Sequence, residues 1–195
     1  MAGSGALDIE YNKAQLKEVK RMLSAIPRGF EKAASRAINK TATTIRSKIT
    51  KLVKKYIPLK LKDIRKKITI RKANRSMLQA IIMVKGGQTP LIKFNAKQTK
   101  NGVTFKLDGK RSKSKHSFIA TMPSGHTGVY ERRIEGGKRV NRLSIGGNPT
   151  SMEGEHYGPS VLSAYLRSDK NIRLDAAKLL EKYTAAQVKL LLEKG

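Results

Sequence analysis

One long amphipathic segment, Arg28 to Ile57, constrains the fold of this chain more than any other stretch. Its apolar and small residues recur at intervals of three and four, which places them on one side of a helix with 3.6 residues per turn. These residues are Phe30, Ala34, Ala37, Ile38, Thr41, Ile45, Ile49, Leu52, Val53 and Tyr56. The other side is basic, with Arg28, Lys32, Arg36, Lys40, Arg46, Lys48, Lys51, Lys54 and Lys55. Because Glu31 is the only acid in the segment, the basic side repels itself unless a polyanion or an acidic partner covers it.

The whole chain has the same charge bias. It has 42 basic and 14 acidic side chains, for a net charge of +28. Nucleic acid or an acidic protein surface would relieve this repulsion. A membrane partner is not predicted, because the longest apolar run, Ala80 to Val84, is too short to span a bilayer and the N-terminus lacks the pattern of a signal peptide. The absence of Cys excludes disulfides and thiolate sites. We therefore expect a protein that is cytoplasmic or is assembled in the cytoplasm.

A chain of 195 residues is long enough for one domain with a real core. We expect an α+β fold with a mobile N-terminal tail over residues 1–8 and a single domain over residues 9–195. Within that domain, residues 9–57 are predicted to form a helical hairpin, residues 58–145 a central and mostly antiparallel sheet, and residues 159–195 the C-terminal helices.

Hydrophobic periodicity, together with prolines and turn residues, predicts the individual helices and strands. Pro27 and Pro58 bound the long helix, and a first helix is predicted over Ile9–Ile26. The predicted strands are Ile68–Lys72, Met77–Lys85, Gly102–Leu107, Ser117–Met122, Val129–Tyr130 and Val140–Ile145. Leu91–Phe94, which follows Pro90, is predicted to be an edge strand or an extended linker. Asp108-Gly109 is a hairpin signal, with Ser117–Met122 as the predicted return strand. The predicted C-terminal helices are Ser160–Leu166 and Leu174–Lys194, the second with Leu174, Ala177, Leu180, Tyr183, Ala186, Val188 and Leu191 mostly on one side.

Several short segments occur in an order that resembles a known protein family. The segments are Ala34–Ala42, Tyr56–Lys66, Pro90–Gln98, Gly102–Phe105, Ser117–Arg133 and Tyr157–Val161. Together they resemble the bacteriophage minor tail protein Z family, also called tail completion proteins, over roughly residues 28 to 166. The resemblance implies a structural role at the head-proximal end of a phage tail, in tail completion and head–tail joining. It implies no catalytic residues and no cofactor.

The basic residues fall into three clusters. The first contains Lys48, Lys51, Lys54, Lys55, Lys60, Lys62, Arg65, Lys66, Lys67, Arg71, Lys72 and Arg75. The second, expected at a hairpin tip, contains Lys110, Arg111, Lys113 and Lys115. The third contains Arg132, Arg133, Lys138, Arg139 and Arg142. These side chains are candidates for sequence-independent contact with nucleic-acid phosphates, since no zinc finger, basic zipper or RNP-type motif is present. An acidic protein neighbour and an ordinary solvated surface remain the alternatives.

Catalytic or metal-binding chemistry is not predicted. No spacing typical of a metal-ligand pair joins the three histidines, His116, His126 and His156. The Ser124–His126 segment lacks a nucleophile elbow and is predicted to be a turn that needs the backbone freedom of Gly125 and Gly128. Glu153 and Glu155 lie in a loop without the carboxylate cluster of a two-metal nuclease.

Two functions from different classes follow. The first is a virion structural protein that forms an oligomeric ring or collar, six-fold or twelve-fold, where the tail meets the head. Its expected partners are its own copies, neighbouring tail or neck proteins and double-stranded DNA, with no small-molecule substrate. The second is a free, nonspecific nucleic-acid-binding protein of the nucleoid or RNA-binding type. An enzyme such as a nuclease is the least favoured interpretation.

Overall fold

The α+β prediction is confirmed in a computed structural model that describes residues 4–26, 28–131, 134–135, 138–139 and 154–193. All the strand pairings within these residues are antiparallel. The chain divides into two compact units: Met1–Val53, Leu61–Gly86 and Val161–Gly195 form the first, and Lys54–Lys60 and Gly87–Ser160 form the second. The single domain expected over residues 9–195 stays a prediction. No helix in the described ranges is long and apolar enough to cross a membrane.

The first unit combines five helices and three strands among the described residues. Its elements are β1 (Ser4–Ile9), α1 (Lys13–Met22), α2 (Gly29–Tyr56), α3 (Leu61–Lys66), β2 (Ile68–Arg71), β3 (Ala80–Lys85), α4 (Val161–Leu166) and α5 (Asp169–Leu192). The last turn of α2, residues 54–56, is counted with the second unit.

Helix α2 confirms the long amphipathic helix to within one residue at each end. Most of the predicted apolar face is buried, and Ala37, Ile38, Ile45 and Ile49 are fully inaccessible to solvent. Leu52 and Tyr56 are half-buried at the edge of this face. The 3.6-residue period was therefore sufficient to identify the face of α2 that packs in the core.

The N-terminal segment is a strand, so the mobile tail predicted over residues 1–8 was wrong for residues 4–8. β1 pairs with β3, and β3 pairs with β2, in a three-stranded sheet of order β1-β3-β2. Leu7 lies opposite Ile82, and both side chains are buried. The segment was missed because its alternation covers only Leu7 and Ile9, too few residues for a pattern.

The first helix is shorter than predicted, because Ile9 belongs to β1 and α1 begins at Lys13. Asn12 caps α1: its Oδ1 accepts a hydrogen bond from the Gln15 backbone N–H at 2.8 Å, and the Gln15 side chain accepts one from the Asn12 N–H at 3.4 Å. This capping box fixes the start of the helix. The Lys20 ammonium lies 5.3 Å from the centre of the Phe30 ring, which links α1 to the first turn of α2.

The C-terminal helices are confirmed, although only part of the predicted apolar side of α5 is buried: Leu180, Val188 and Leu191 are buried, whereas Leu174, Ala177 and Ala186 are exposed. Its buried residues are Ile172, Ala176, Leu180, Thr184, Val188 and Leu191. Leu174 is 64% exposed. The buried stripe follows a four-residue spacing from Ile172 and includes Thr184, whose hydroxyl donates to the Leu180 carbonyl at 2.7 Å.

The second unit is mainly β. Its described elements are β4 (Thr89–Pro90), a 3₁₀ turn (Leu91–Lys93), β5 (Lys97–Thr99), β6 (Gly102–Leu107), β7 (Lys110–Ser114), β8 (Ser117–Thr121), β9 (Thr127–Glu131), β10 (Ile134–Glu135), β11 (Lys138–Arg139) and β12 (Tyr157–Gly158). They form small sheets of order β5-β6-β7, β8-β9, β12-β4 and β10-β11, so the one central sheet predicted from sequence is instead several.

Two predictions in this unit were wrong. Leu91–Phe94 is largely a 3₁₀ turn, since Leu91 and Phe94 are both buried and a strand would place residues three apart on opposite faces. The return strand after the Asp108-Gly109 turn is the basic segment Lys110–Ser114 itself, whereas Ser117–Thr121 pairs with β9. The strand predicted over Val140–Ile145 lies outside the described residues.

Candidate nucleic-acid interface

The first basic cluster is distributed over helices α2 and α3, strand β2 and the segments that join and follow them, and it is divided between the two units. Lys54, Lys55 and Lys60 belong to the second unit, and the remaining members belong to the first. Most are exposed; Lys48 and Lys67 are half-buried. The sequence run therefore does not correspond to a single surface of one unit.

The ammonium groups of Lys48 and Lys54 in this cluster have partners within the chain. The Lys48 ammonium lies 2.8 Å from Asp175 Oδ2 on α5. The Lys54 ammonium donates a hydrogen bond to the Leu59 carbonyl at 2.6 Å. Lys48 in particular links two helices of the first unit, and its charge is balanced without a ligand. The sequence could not reveal this pair, because 127 positions separate its members.

The second cluster takes part in a basic sheet face. In β7, Arg111 and Lys113 point to the same side, since residues two apart in a strand share a face. Register extends this side across the sheet: Lys106 lies opposite Arg111, and Thr104 lies opposite both Lys113 and Lys97. The "β5–β7 basic face" is defined here as the four exposed cations Lys97, Lys106, Arg111 and Lys113.

This face has an unfavourable internal charge distribution. The Lys106 and Arg111 side chains are directly opposite one another, an arrangement that destabilises a pair of strands when the charges are alike. Thr99 and Thr104, the other side chains on this side, are neutral. The Arg111 guanidinium donates a hydrogen bond to Thr104 Oγ1 at 3.2 Å, which helps to orient it without neutralising it. The four cations, which surround the Thr104 hydroxyl, could therefore bind the oxygens of phosphate groups.

Lys97 and Lys106 were missed as site residues. The alternation of Lys106 with apolar neighbours in β6 shows from sequence that its side chain is exposed. The pairing of β6 with the basic segment that follows it was not predicted, so Lys106 was not grouped with Arg111. Conversely, Lys110 lies opposite Leu107 on the other side of the sheet, and Lys115 follows the end of β7. The four cations expected together at a hairpin tip are thus spread along and beyond β7.

The third cluster falls largely outside the described residues, which exclude Arg132, Arg133 and Arg142. Lys138 and Arg139 form strand β11, whose backbone pairs with β10 in antiparallel register.

A second polar site surrounds a buried carboxylate. The Glu155 side chain is fully buried, with Oε1 at 2.9 Å from His126 Nε2 and Oε2 accepting the Tyr157 hydroxyl hydrogen bond at 2.7 Å. A Cβ added to Gly128 would lie 2.7 Å from Glu155 Oε1. Gly128 is therefore required for space rather than for the backbone freedom predicted, while Gly125 does adopt a left-handed conformation with φ +81°.

This cluster and its surroundings unite segments that are distant in the chain. His126 and Gly128 come from the loop before β9 and its first residues, and Glu155 and Tyr157 come from β12 and the residues before it. The hydrogen bond to Glu155 raises the pKa of Tyr157 to about 12, since it holds the phenol in its protonated form. Each group has a structural partner, and the arrangement ties the two segments together.

A His–carboxylate pair formed by His156 and Glu131 does not have the geometry of a catalytic relay. His156 Nε2 lies 3.1 Å from Glu131 Oε2 and 3.5 Å from Ser117 Oγ. A relay requires the carboxylate on one ring nitrogen and the nucleophile on the other, whereas here both face the same nitrogen. The part of the chain that is described contains no group of three His, Asp or Glu residues that could hold a metal ion.

The comparisons with known proteins give one match. The chain has no significant match among curated proteins or among solved structures. A family model described as prophage minor tail protein Z matches residues 14–152, which is more than two thirds of the chain and begins within α1. The chain therefore belongs to the prophage minor tail protein Z family.

Proposed function

We propose that this protein is a structural component of the phage virion at the head-proximal end of the tail, where it acts in tail completion and head–tail joining. The family match supports a structural role in the tail. In this proposal the protein works as an oligomeric ring or collar, with six-fold or twelve-fold symmetry, and contacts other tail or neck proteins. It is assembled in the host cytoplasm and resides in the virion near the head–tail junction.

The β5–β7 basic face is the observation that supports contact with DNA. Four cations on one side of a three-stranded sheet repel one another in the free protein, and the side chains that strands β5, β6 and β7 contribute to this side include no carboxylate. DNA phosphates would offset this repulsion, because they attract all four cations regardless of the base sequence. Repetition of the face around a ring would give a positive annulus that holds a duplex without fixing its register.

Reconstitution of head–tail joining tests this proposal. Tails assembled without the protein are mixed with DNA-filled heads and purified protein, and infectious particles are counted. The proposal predicts that wild-type protein restores joining, and that a variant with all four cations of the β5–β7 basic face changed to Gln restores it less well. The matched control removes the same charge from exposed positions elsewhere: Lys13→Gln, Lys17→Gln, Lys170→Gln and Lys178→Gln.

The alternative, a free nonspecific nucleic-acid-binding protein, gives a different result. Such a protein would coat duplex DNA at low salt as a monomer or dimer, and it would leave the number of infectious particles unchanged when added to tails. That combination would contradict the proposed role in the virion.

A further inference from the structure

Between α1 and α5, both in the first unit, lies an apolar groove of about 610 Å³. Buried Val19 and Val188 line it from the two helices. Exposed side chains border it: Met22 is 46% accessible and Leu192 is 56% accessible. A groove with these dimensions and lining can accommodate large apolar side chains. Grooves of this kind bind the apolar face of a helix from another molecule.

The charges around the groove have the opposite sign to those of the chain. Glu18, Glu181 and Glu193 border it, and the only cation among its lining residues, Lys189, lies 3.8 Å from Glu193. Acids are outnumbered three to one in the sequence as a whole, yet they outnumber bases three to one here. The groove therefore repels nucleic acid and favours an apolar segment with cationic flanks.

The chain itself provides such a segment. Nine large apolar side chains are exposed in the described part of the molecule, and among them Leu61 alone has a cation on both sides, Lys60 and Lys62. Leu61 is 44% accessible at the start of α3, and Arg65 is exposed one turn later. This edge of α3 is complementary to the groove in both hydrophobicity and charge.

Insertion requires two molecules. Helix α3 is anchored in its own unit by Ile64, which is fully buried, and by the Arg65 carbonyl, which accepts a hydrogen bond from the Arg46 guanidinium at 3.1 Å. It therefore cannot leave its position to reach the groove of the same molecule without breaking these contacts.

We propose that the α1–α5 groove of one copy binds the Leu61 edge of α3 from a second copy, with the acidic border facing Lys60, Lys62 and Arg65. The contact joins two different surfaces of the same protein, so it is heterologous. When each copy makes the same contact with the next, the copies close into a ring or extend into a filament. The inference rests on the proposed self-assembly and specifies the surfaces through which it takes place. Leu61 acts as a central anchor within a larger interface.

Because the chain contains no Cys, single cysteines can test the contact directly. Met22→Cys in the groove and Leu61→Cys on α3 are mixed under mild oxidation, since a disulfide forms only when the two Cα atoms come within about 7 Å. We expect a cross-linked pair of chains from the mixture and a ladder of multimers from the double variant. Met22→Cys mixed with Lys113→Cys is the control and should give no such pair.

Sedimentation of the wild-type protein separates the two ways in which the inference can fail. An oligomer that gives no Met22–Leu61 cross-link, or only Met22–Met22 cross-links, would overturn the groove contact and leave the ring intact. A wild-type protein that sediments as a monomer at all concentrations, with no cross-links, would contradict the ring as well. A second pair of variants tests the charges: Glu18→Lys with Glu181→Lys should weaken assembly, and adding Lys60→Glu with Lys62→Glu should restore it.

Discussion

Neutralising the β5–β7 basic face should weaken DNA binding and change its salt dependence in a calculable way. The variant replaces Lys97, Lys106, Arg111 and Lys113 by Gln, which lowers the net charge of +28 by four. Each phosphate contact contributes about 0.9 to the slope of log affinity against log salt concentration, so four contacts contribute about 3.6. Between about 50 and 200 mM salt, the wild-type protein should therefore lose roughly a hundredfold more affinity than the variant.

The same variant should bind DNA more weakly without becoming less stable. Removing the like-charge pair formed by Lys106 and Arg111 relieves repulsion between strands, which should leave the free energy of unfolding unchanged or raise it by up to about 1 kcal/mol. Fluorescence anisotropy with a labelled duplex gives the salt slope, and urea denaturation gives the stability. A face that binds phosphate should lose affinity without losing stability.

The control variant in α1 and α5 removes the same number of charges at Lys13, Lys17, Lys170 and Lys178. Its salt slope should match that of the wild-type protein. If the control lowers the slope as much as the variant of the β5–β7 basic face does, binding depends on net charge alone and the assignment of this face is refuted. An unchanged slope in both variants would place DNA contact elsewhere.

Three further predictions concern contacts within each unit. Ile45→Ala, at a fully buried position of α2, should cost about 2–5 kcal/mol of unfolding free energy, whereas Leu174→Ala, at a largely exposed position, should change it by less than about 0.5 kcal/mol; urea denaturation of both variants checks the contrast. Gly102→Ala should lower the unfolding midpoint, because φ is +123° there and a Cβ would collide with a carbonyl of β7. Because the pKa of Tyr157 is raised, its hydrogen bond to Glu155 contributes fully to stability below pH 10, and this contribution is lost as the pH rises through about 12. Glu155→Gln should return the pKa of the phenol towards 10, which ultraviolet absorbance measures.

These packing predictions can each be contradicted by a specific result. Equal losses from Ile45→Ala and Leu174→Ala would show that Leu174 packs in the core in solution, contrary to its exposure in the structure. A Tyr157 titration that is unaffected by Glu155→Gln would show that the phenol does not donate to this carboxylate in solution.

The sequence determined the elements whose signals are local. The period of α2 repeats over 28 residues and predicts its buried face, and the flanking Pro27 and Pro58 predict its start and end. Strand β6 and the turn at Asp108-Gly109 were equally readable, because alternation and turn chemistry depend on adjacent residues. The order of short segments was sufficient to suggest the minor tail protein Z family, which the match over residues 14–152 supports.

The tertiary structure decided which of these elements meet. Nothing local in residues 4–9 shows that they pair with β3, more than 70 positions later, or that Thr184 rather than Leu174 faces the core. The β5–β7 basic face depends on strand register, which brings Lys97 opposite Thr104 and Lys106 opposite Arg111. Pairing and burial are set by the free energy of the whole packed unit, in which backbone hydrogen bonds and buried area outweigh the preference of any short segment. For that reason a sequence can identify cations, but only the fold determines which of them share a surface.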